Sequence, residues 1–277
     1  MKRNPAALLG AGLLLTMILV SLLAPLLAPY DPVAIDPAHR LAPVSREHLL
    51  GTDTLGRDVL SRLLYGGRIA LIMSLVAVTC TMLIGMSVGL VTGYYGGIID
   101  DILTVVINIL LALPGLSLML AIAGVLGPGI NSLFIAMVTT SWAGFARVVR
   151  GEVLRVREEG YVEAARALGA SSTHIILRHI LPNILGPVVV LATLRVGGFL
   201  LAVASLSFLG LGIQPPAPDW AVMLNDGRAY CRSRPLLVIA PGMCIVAAAL
   251  GANLLGDALR DLLDARNEQH GNWRSLG

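Results

Sequence analysis

Six stretches of this chain are apolar for about the length a helix needs to cross the hydrocarbon of a bilayer, roughly 20 residues. They run from Ala6 to Leu27, Ile69 to Val91, Ile102 to Val125, Ile130 to Ala146, Val188 to Leu209 and Leu236 to Leu255. No other feature limits the fold as tightly. A backbone in lipid finds no water to bond, so it must satisfy its own N–H and C=O groups as a helix or a closed barrel. The strict alternation of a membrane barrel is missing, which leaves helices. Composition agrees. Hydrophobic residues make up 56% of the chain and charged residues 13%, against roughly a quarter charged in soluble domains. The sequence predicts an all-α integral membrane protein of six spans, with the edges of the third (which contains Pro114) and the short fourth least defined.

Lys2 and Arg3 before the first apolar run resemble the start of a signal peptide. The run is span-length, however, and Pro25 and Pro29 crowd the place of a cleavage site, so an uncleaved helix is expected. Six spans put both termini on one side. Arginine is spread almost evenly between the two sets of loops, so the positive-inside rule favours an inner N-terminus only weakly.

Lys2 is the only lysine. A phosphate-binding loop needs a lysine after its glycines, so if ATP drives this protein another chain hydrolyses it. Cys80, Cys231 and Cys244 form no close pair and predict no disulfide framework. No residues combine a nucleophile with its base, and no catalytic residue, metal site, cofactor or nucleic-acid partner is expected. Membrane lipid is the expected surrounding.

Between the first two spans, PYDPVAIDP precedes LGTDTLGRDVLSRLLYGGRIAL. There Val59, Leu60, Leu63 and Leu64 share one helical face. That face fits either a helix in the outer interface or one packed on the other spans. The segment 45–68 is left open between them. Residues 1–68 are read as an N-terminal span with its outer segment, and 69–277 as a five-span core.

The segment 147–183 is polar yet rich in helix formers, RVVRGEVLRVREEGYVEAARALGASSTHIILRHILPN. Ala164, Ala165, Ala167 and Leu168 favour a helix, Gly169 permits a tight turn, and a second helix is expected to end at Pro182. Such a projection, with small alanines for close approach and Glu163 and Arg166 for ion pairs, fits a partner's groove.

Glu163-Ala164-Ala165, then Gly169, then His179-Ile180-Leu181-Pro182 resembles the EAA loop of bacterial ABC importer permeases, and His179 resembles the peptide and nickel branch. LGTDTLGRDVLSRLLYG, GYYGG with Asp100, WAGFARVVRGEVL, SLSFLGLGIQPPAPDWAVML and NLLGDALRDLLD extend the resemblance over nearly the whole chain. It implies a type I permease fold. It also implies Glu163, Ala164, Ala165, Gly169, His179 and Pro182 as ATPase-coupling residues on the cytoplasmic side. Both termini would then be cytoplasmic, in a bacterial inner membrane. The implied partners are a second permease in a heterodimer, two ATP-binding subunits and a periplasmic substrate-binding protein. Ile98 and Asn108 stand where the family commonly has Arg and Asp, and Val203 where many peptide permeases carry Glu. AVASLSFLGLG with NDGRAY looks instead like nickel-transport members. Nickel, as a chelate, is therefore the expected cargo, with short peptides the alternative. A gradient-driven secondary transporter would place acids mid-span and repeat its spans; neither feature is present.

Several further residues have two readings. His174 and His179, five apart, fall about 140° apart on an α-helix, so packing is expected rather than shared metal binding. Gly85, Gly89 and Gly93 read as a close helix contact. Arg195 lies within the fifth span and either faces a wet interior or snorkels. Arg195, Met86 and Asn108 are the candidate pathway residues, although Met73, Met82, Met86, Met119 and Met137 are also ordinary core filling. Asp257, Arg260, Asp261 and Asp264 can pair along one helix where the last span ends.

Overall fold

The computed structural model describes residues 5–271, with side-chain surroundings up to residue 262. Lys2, Arg3 and Arg274, and the side chains of Asp264 and Arg266, lie outside the described residues. Helix α1 (Pro5–Leu22) and the short α2 (Ala24–Leu27) cover the first expected span, with a break at Leu23. Helix α3 (Val59–Tyr95) runs for 37 residues. It is followed by α4 (Gly97–Ala112), α5 (Gly115–Leu126), α6 (Ile130–Arg157), α7 (Gly160–Ala167), α8 (Ser172–Ile175), α9 (Leu181–Phe208), α10 (Trp220–Gly227) and α11 (Leu236–Gly271). Among the described residues five helices are long and apolar enough to cross a membrane, and six if the bent pair α4–α5 counts as one span.

Two sequence expectations need correction, and one choice left open is decided. The third span is not straight, because α4 and α5 meet at 92°. Pro114 has no N–H and disfavours α geometry in the residue before it, and Leu113 accordingly sits extended at φ −87°, ψ 140°. The stretch 59–68 is not a separate surface helix but the first turns of α3. Asp58 caps it, accepting from the Ser61 backbone N–H at 2.7 Å, and Val59, Ser61, Arg62 and Leu63 are buried. Residue 68, where the sequence divides into two parts, therefore lies inside a continuous helix. Finally, the helix after Gly169 does not stop at Pro182. Ile176–Ile180 form a π turn in which the Leu181 N–H donates to the Ile176 carbonyl. This widened turn takes up the missing bond and ring clash of a helix proline, and the chain continues into α9.

The glycine stripe is a close contact between α3 and α6. A Cβ on Gly89 would lie 2.6 Å from Val149 Cβ and 2.8 Å from the Ala146 carbonyl, and one on Gly93 2.7 Å from Val153 Cβ. Only glycine lets these backbones approach so closely. Gly10 performs the same task between α1 and α11, where an added Cβ would lie 2.7 Å from Leu254 Cβ.

At the end of the bundle where α3 begins, the chain folds a cap rich in buried charge. Asp53 accepts from the Leu55 and Arg57 backbone N–H groups and from Arg57 Nε at 2.6 Å. Arg57 also reaches Asp226 at 3.6 Å. Arg62, 1% exposed, donates to the Pro32 carbonyl and pairs with Asp53 at 3.5 Å. His48 Nδ1 lies 2.9 Å from Asp58. Trp220 packs under this cap and donates from Nε1 to the Leu63 carbonyl at 2.9 Å. Buried charges are tolerable only when paired and hydrogen-bonded in this way.

Candidate functional site

At the opposite end from the cap, α6 runs out to Arg157 and α7 turns back from it. Val162 is the buried residue of α7. It joins a cluster made by Val149, Val153 and Val156 of α6, Ile175 and Ile180, and Ile184 and Val188 of α9. This anchor turns one face of α7 inward and leaves Glu163, Ala164, Ala167 and Leu168 outward, with Leu168 89% exposed. Among the described residues the Glu163 carboxylate makes no side-chain bond, so it is free to meet a cation on another chain. Ala165 is half-buried behind it.

The reversal after α7 is a Schellman motif. The Gly169 N–H donates to Arg166 O at 3.0 Å and the Ala170 N–H to Ala165 O at 3.1 Å, with Gly169 at φ +82°. This is the left-handed region that favours glycine. Ser171 then caps α8, accepting from the His174 N–H.

The π turn alters the geometry of the two histidines. An ordinary helix would put His174 and His179 on different faces, but here their rings lie 5.7 Å apart, with Tyr161 at 6.1 Å from His179. Even so, among the described residues no group of three or more His, Cys, Asp or Glu side chains could hold a metal ion. Asn183 donates to the His179 carbonyl at 2.6 Å, and Pro182 is exposed in the turn that follows.

A second polar region lies on α4, α6 and α9. Arg195 is exposed on α9, and its guanidinium lies over Gly144 of α6, where an added Cβ would be 3.2 Å from Nη2. Three residues along α6, Arg147 donates to Asn108 Oδ1 of α4 at 2.7 Å. Of the three pathway candidates, Asn108 and Arg195 thus flank one stretch of α6. Met86 instead packs half-buried against the apolar cluster around Val149. Met73, Met82 and Met119 line another apolar cluster, and Met137 is fully buried in it.

Sequence reasoning did not find the Arg147–Asn108 bond or the bidentate clamp of Arg150 on Asp100, two bonds of 2.7 Å joining α6 to α4. The partners are 39 and 50 residues apart, and no local spacing signals such pairs. One departure noted from the peptide permeases looks different in the fold. Val203 is 1% exposed, packed with Phe199 and Leu206, so its identity reports packing, not contact with cargo.

The architecture matches that of a solved membrane transporter, the MetNI methionine ABC transporter in inward-facing conformations. The TM-score is 0.59 over 73% of this chain and 96% of that one, at 21% identity. The fold is that of an ABC importer permease. Residues 85–269 match the family described as the binding-protein-dependent transport system inner membrane component, and residues 1–43 the N-terminal TM domain of oligopeptide transport permease C. The chain belongs to this family of permeases, whose members are membrane subunits served by separate ATPases. Its relatives include the dipeptide transport system permease protein DppC of Alkalihalophilus pseudofirmus, 41% identical over 96% of this chain and 88% of that protein. They also include the probable D,D-dipeptide permease DdpC of Escherichia coli, 39% identical over 96% and 89%. A third is the glutathione permease GsiD of Pectobacterium atrosepticum, 41% identical over 93% and 86%. Each of these three relatives is named for transport of a dipeptide or of glutathione.

Proposed function

We propose that this chain is a permease subunit importing short peptides across a bacterial inner membrane. It would pair with a second, different permease, two ATP-binding subunits and a periplasmic binding protein. The single observation that carries the energy-coupling part is the outward face of α7. An eight-residue helix anchored by Val162 presents Glu163, Ala164 and Ala167 to solvent at the far end from the charged cap. That is a shape made to be held by another protein. In this reading the α7 end is cytoplasmic, both termini lie on that side, and Glu163, Ala164, Ala165, Gly169, His179 and Pro182 transmit closure of the ATPases to α6 and α9. Asn108 and Arg195 border the pathway. The peptide assignment rests on the relatives named as dipeptide and glutathione permeases.

Orientation and assembly are tested together. Wild-type Cys231 is exposed beside the cap and should react with an impermeant thiol reagent added outside spheroplasts, whereas a Ser171→Cys thiol, in a chain whose Cys231 is replaced by serine, should react only after permeabilisation. Coexpressed with its partners, the chain should copurify as a complex that hydrolyses ATP and takes up a dipeptide. The opposite labelling pattern, or dipeptide uptake by the chain alone in liposomes, refutes the assignment.

A further inference from the structure

Arg195 sits deep in the bundle by two independent measures. It is 13 residues from the end of α9 at Phe208, about 20 Å at the helical rise. Its contact Gly144 is 14 residues from the start of α6 at Ile130, about 21 Å. Half the thickness of a hydrocarbon core is about 15 Å, so the guanidinium is far from the cap-side interface. Yet it points out of its own bundle and forms no hydrogen bond or ion pair with any described residue. A bare guanidinium facing acyl chains at such depth is strongly unfavourable, and intramembrane charges face protein or water-filled cavities. The face made by α6 and α9 must therefore be turned to water or to another chain.

Arg147 adds a second cation to the same face. It lies three residues from Gly144 on α6, so the two positions are neighbours on the helix surface. Its bonded partner Asn108 is a neutral amide, which orients the guanidinium without cancelling its charge. The nearby acid, Asp100, is already clamped by Arg150. Among the described residues neither cation pairs with an acid, and both positions lie past the midplane toward the α7 end, Arg147 about 4.5 Å nearer that end along α6. A guanidinium fork matches a carboxylate in geometry as well as charge.

We propose that Arg195, with Arg147 held by Asn108, forms a carboxylate-binding station in the translocation pathway, which receives the C-terminal carboxylate of a passing peptide. This rests on the peptide-import reading. The station solves a chemical problem peculiar to such cargo. Side chains vary from one short peptide to the next, and the free carboxylate is one of the few groups they share. A hydrated, partly exposed cation pair holds it weakly enough to let it leave, as conduction requires.

The test uses the complete complex in proteoliposomes with its binding protein, at concentrations saturating that protein. Uptake of a dipeptide is compared with uptake of its C-terminal amide. Arg195→Gln should lower uptake of the acid about tenfold relative to the amide, Arg195→Lys should restore most of that ratio, and Arg147→Gln should change it in the same direction by less. Equal loss of acid and amide, or no loss of either, overturns the station while leaving peptide import standing. An Arg195→Gln chain that no longer copurifies with its partner permease also overturns it, since the cation then pairs with that subunit. A wild-type complex that hydrolyses ATP but takes up neither peptide overturns the peptide reading and the station together.

Discussion

Gly169 offers a way to separate backbone strain from crowding as the reason a glycine ends α7. Its φ of +82° lies in the left-handed region, and a Cβ built on it meets no heavy atom within 4 Å. Any residue fits there sterically, so what a substitution costs comes from the backbone alone. That cost is about 1–2 kcal/mol for an ordinary L-residue, less for Asn, which visits this region more readily, and more for a β-branched side chain. Val162, Ala165 and the Tyr161–His179 contact anchor the body of α7, so a 1–2 kcal/mol penalty at its end falls on the placement of the turn and shifts the correctly placed form by a factor of about 5–30. Peptide uptake and ATP hydrolysis stimulated by the binding protein, measured in proteoliposomes, should then fall in the order Gly, Asn, Ala, Val. Gly169→Asn should keep more than a third of wild-type uptake, as the smallest of these penalties implies, and Gly169→Val should lose most of it. The amount of chain in the purified complex should stay constant, because the spans are stabilised elsewhere. The order is the decisive result. If Ala is tolerated as well as Asn, or better, the left-handed backbone is not what the turn requires and the reasoning fails.

Two further outcomes follow from packing and burial. Gly89→Ala places a methyl 2.6 Å from Val149 Cβ and 2.8 Å from the Ala146 carbonyl, so α3 and α6 must part and the protein should lose about 1–3 kcal/mol. Gly124→Ala on α5, where nothing lies within 4 Å, should be neutral or up to about 1 kcal/mol more stable; equal unfolding curves in mixed micelles would refute the close contact. Burial pushes the Asp219 carboxyl up to about 6, against the Val222 and Ala221 backbone N–H groups and the charge of Arg62. The charged form is therefore the one the fold disfavours, and the cap should lose stability as pH rises from about 4 through 6, by up to roughly 3 kcal/mol. Asp219→Asn keeps a good helix cap without that charge, so it should flatten this dependence and raise the thermal midpoint at pH 7.5 but not at pH 4. A variant less stable than wild type at pH 7.5 would mean that the attraction to Arg62 outweighs burial.

What could be read from the sequence and what could not divide along a physical line. The spans were legible because length in apolar residues is a local quantity set by the bilayer. The turn at Gly169 was legible because a Schellman motif closes within six residues. Proline effects were legible as positions but not as outcomes. Pro114 breaks a span by 92°, whereas Pro182 is absorbed by a π turn and breaks nothing, and the choice depends on what each neighbouring backbone can bond to. The cap charges and the Arg147–Asn108 bond were hidden because their partners come from distant segments. The reading of cargo leaned on a residue hidden in the same way. Val203 stands where many peptide permeases carry Glu, but it is 1% exposed and so answers to its neighbours in the core. A residue can inform on cargo only where it faces the pathway. On the proposal above Arg195 and Arg147 meet that condition, and among the described residues neither pairs with an acid. The chemistry of the cargo is therefore better sought in the cations this chain leaves exposed than in the apolar substitutions it buries.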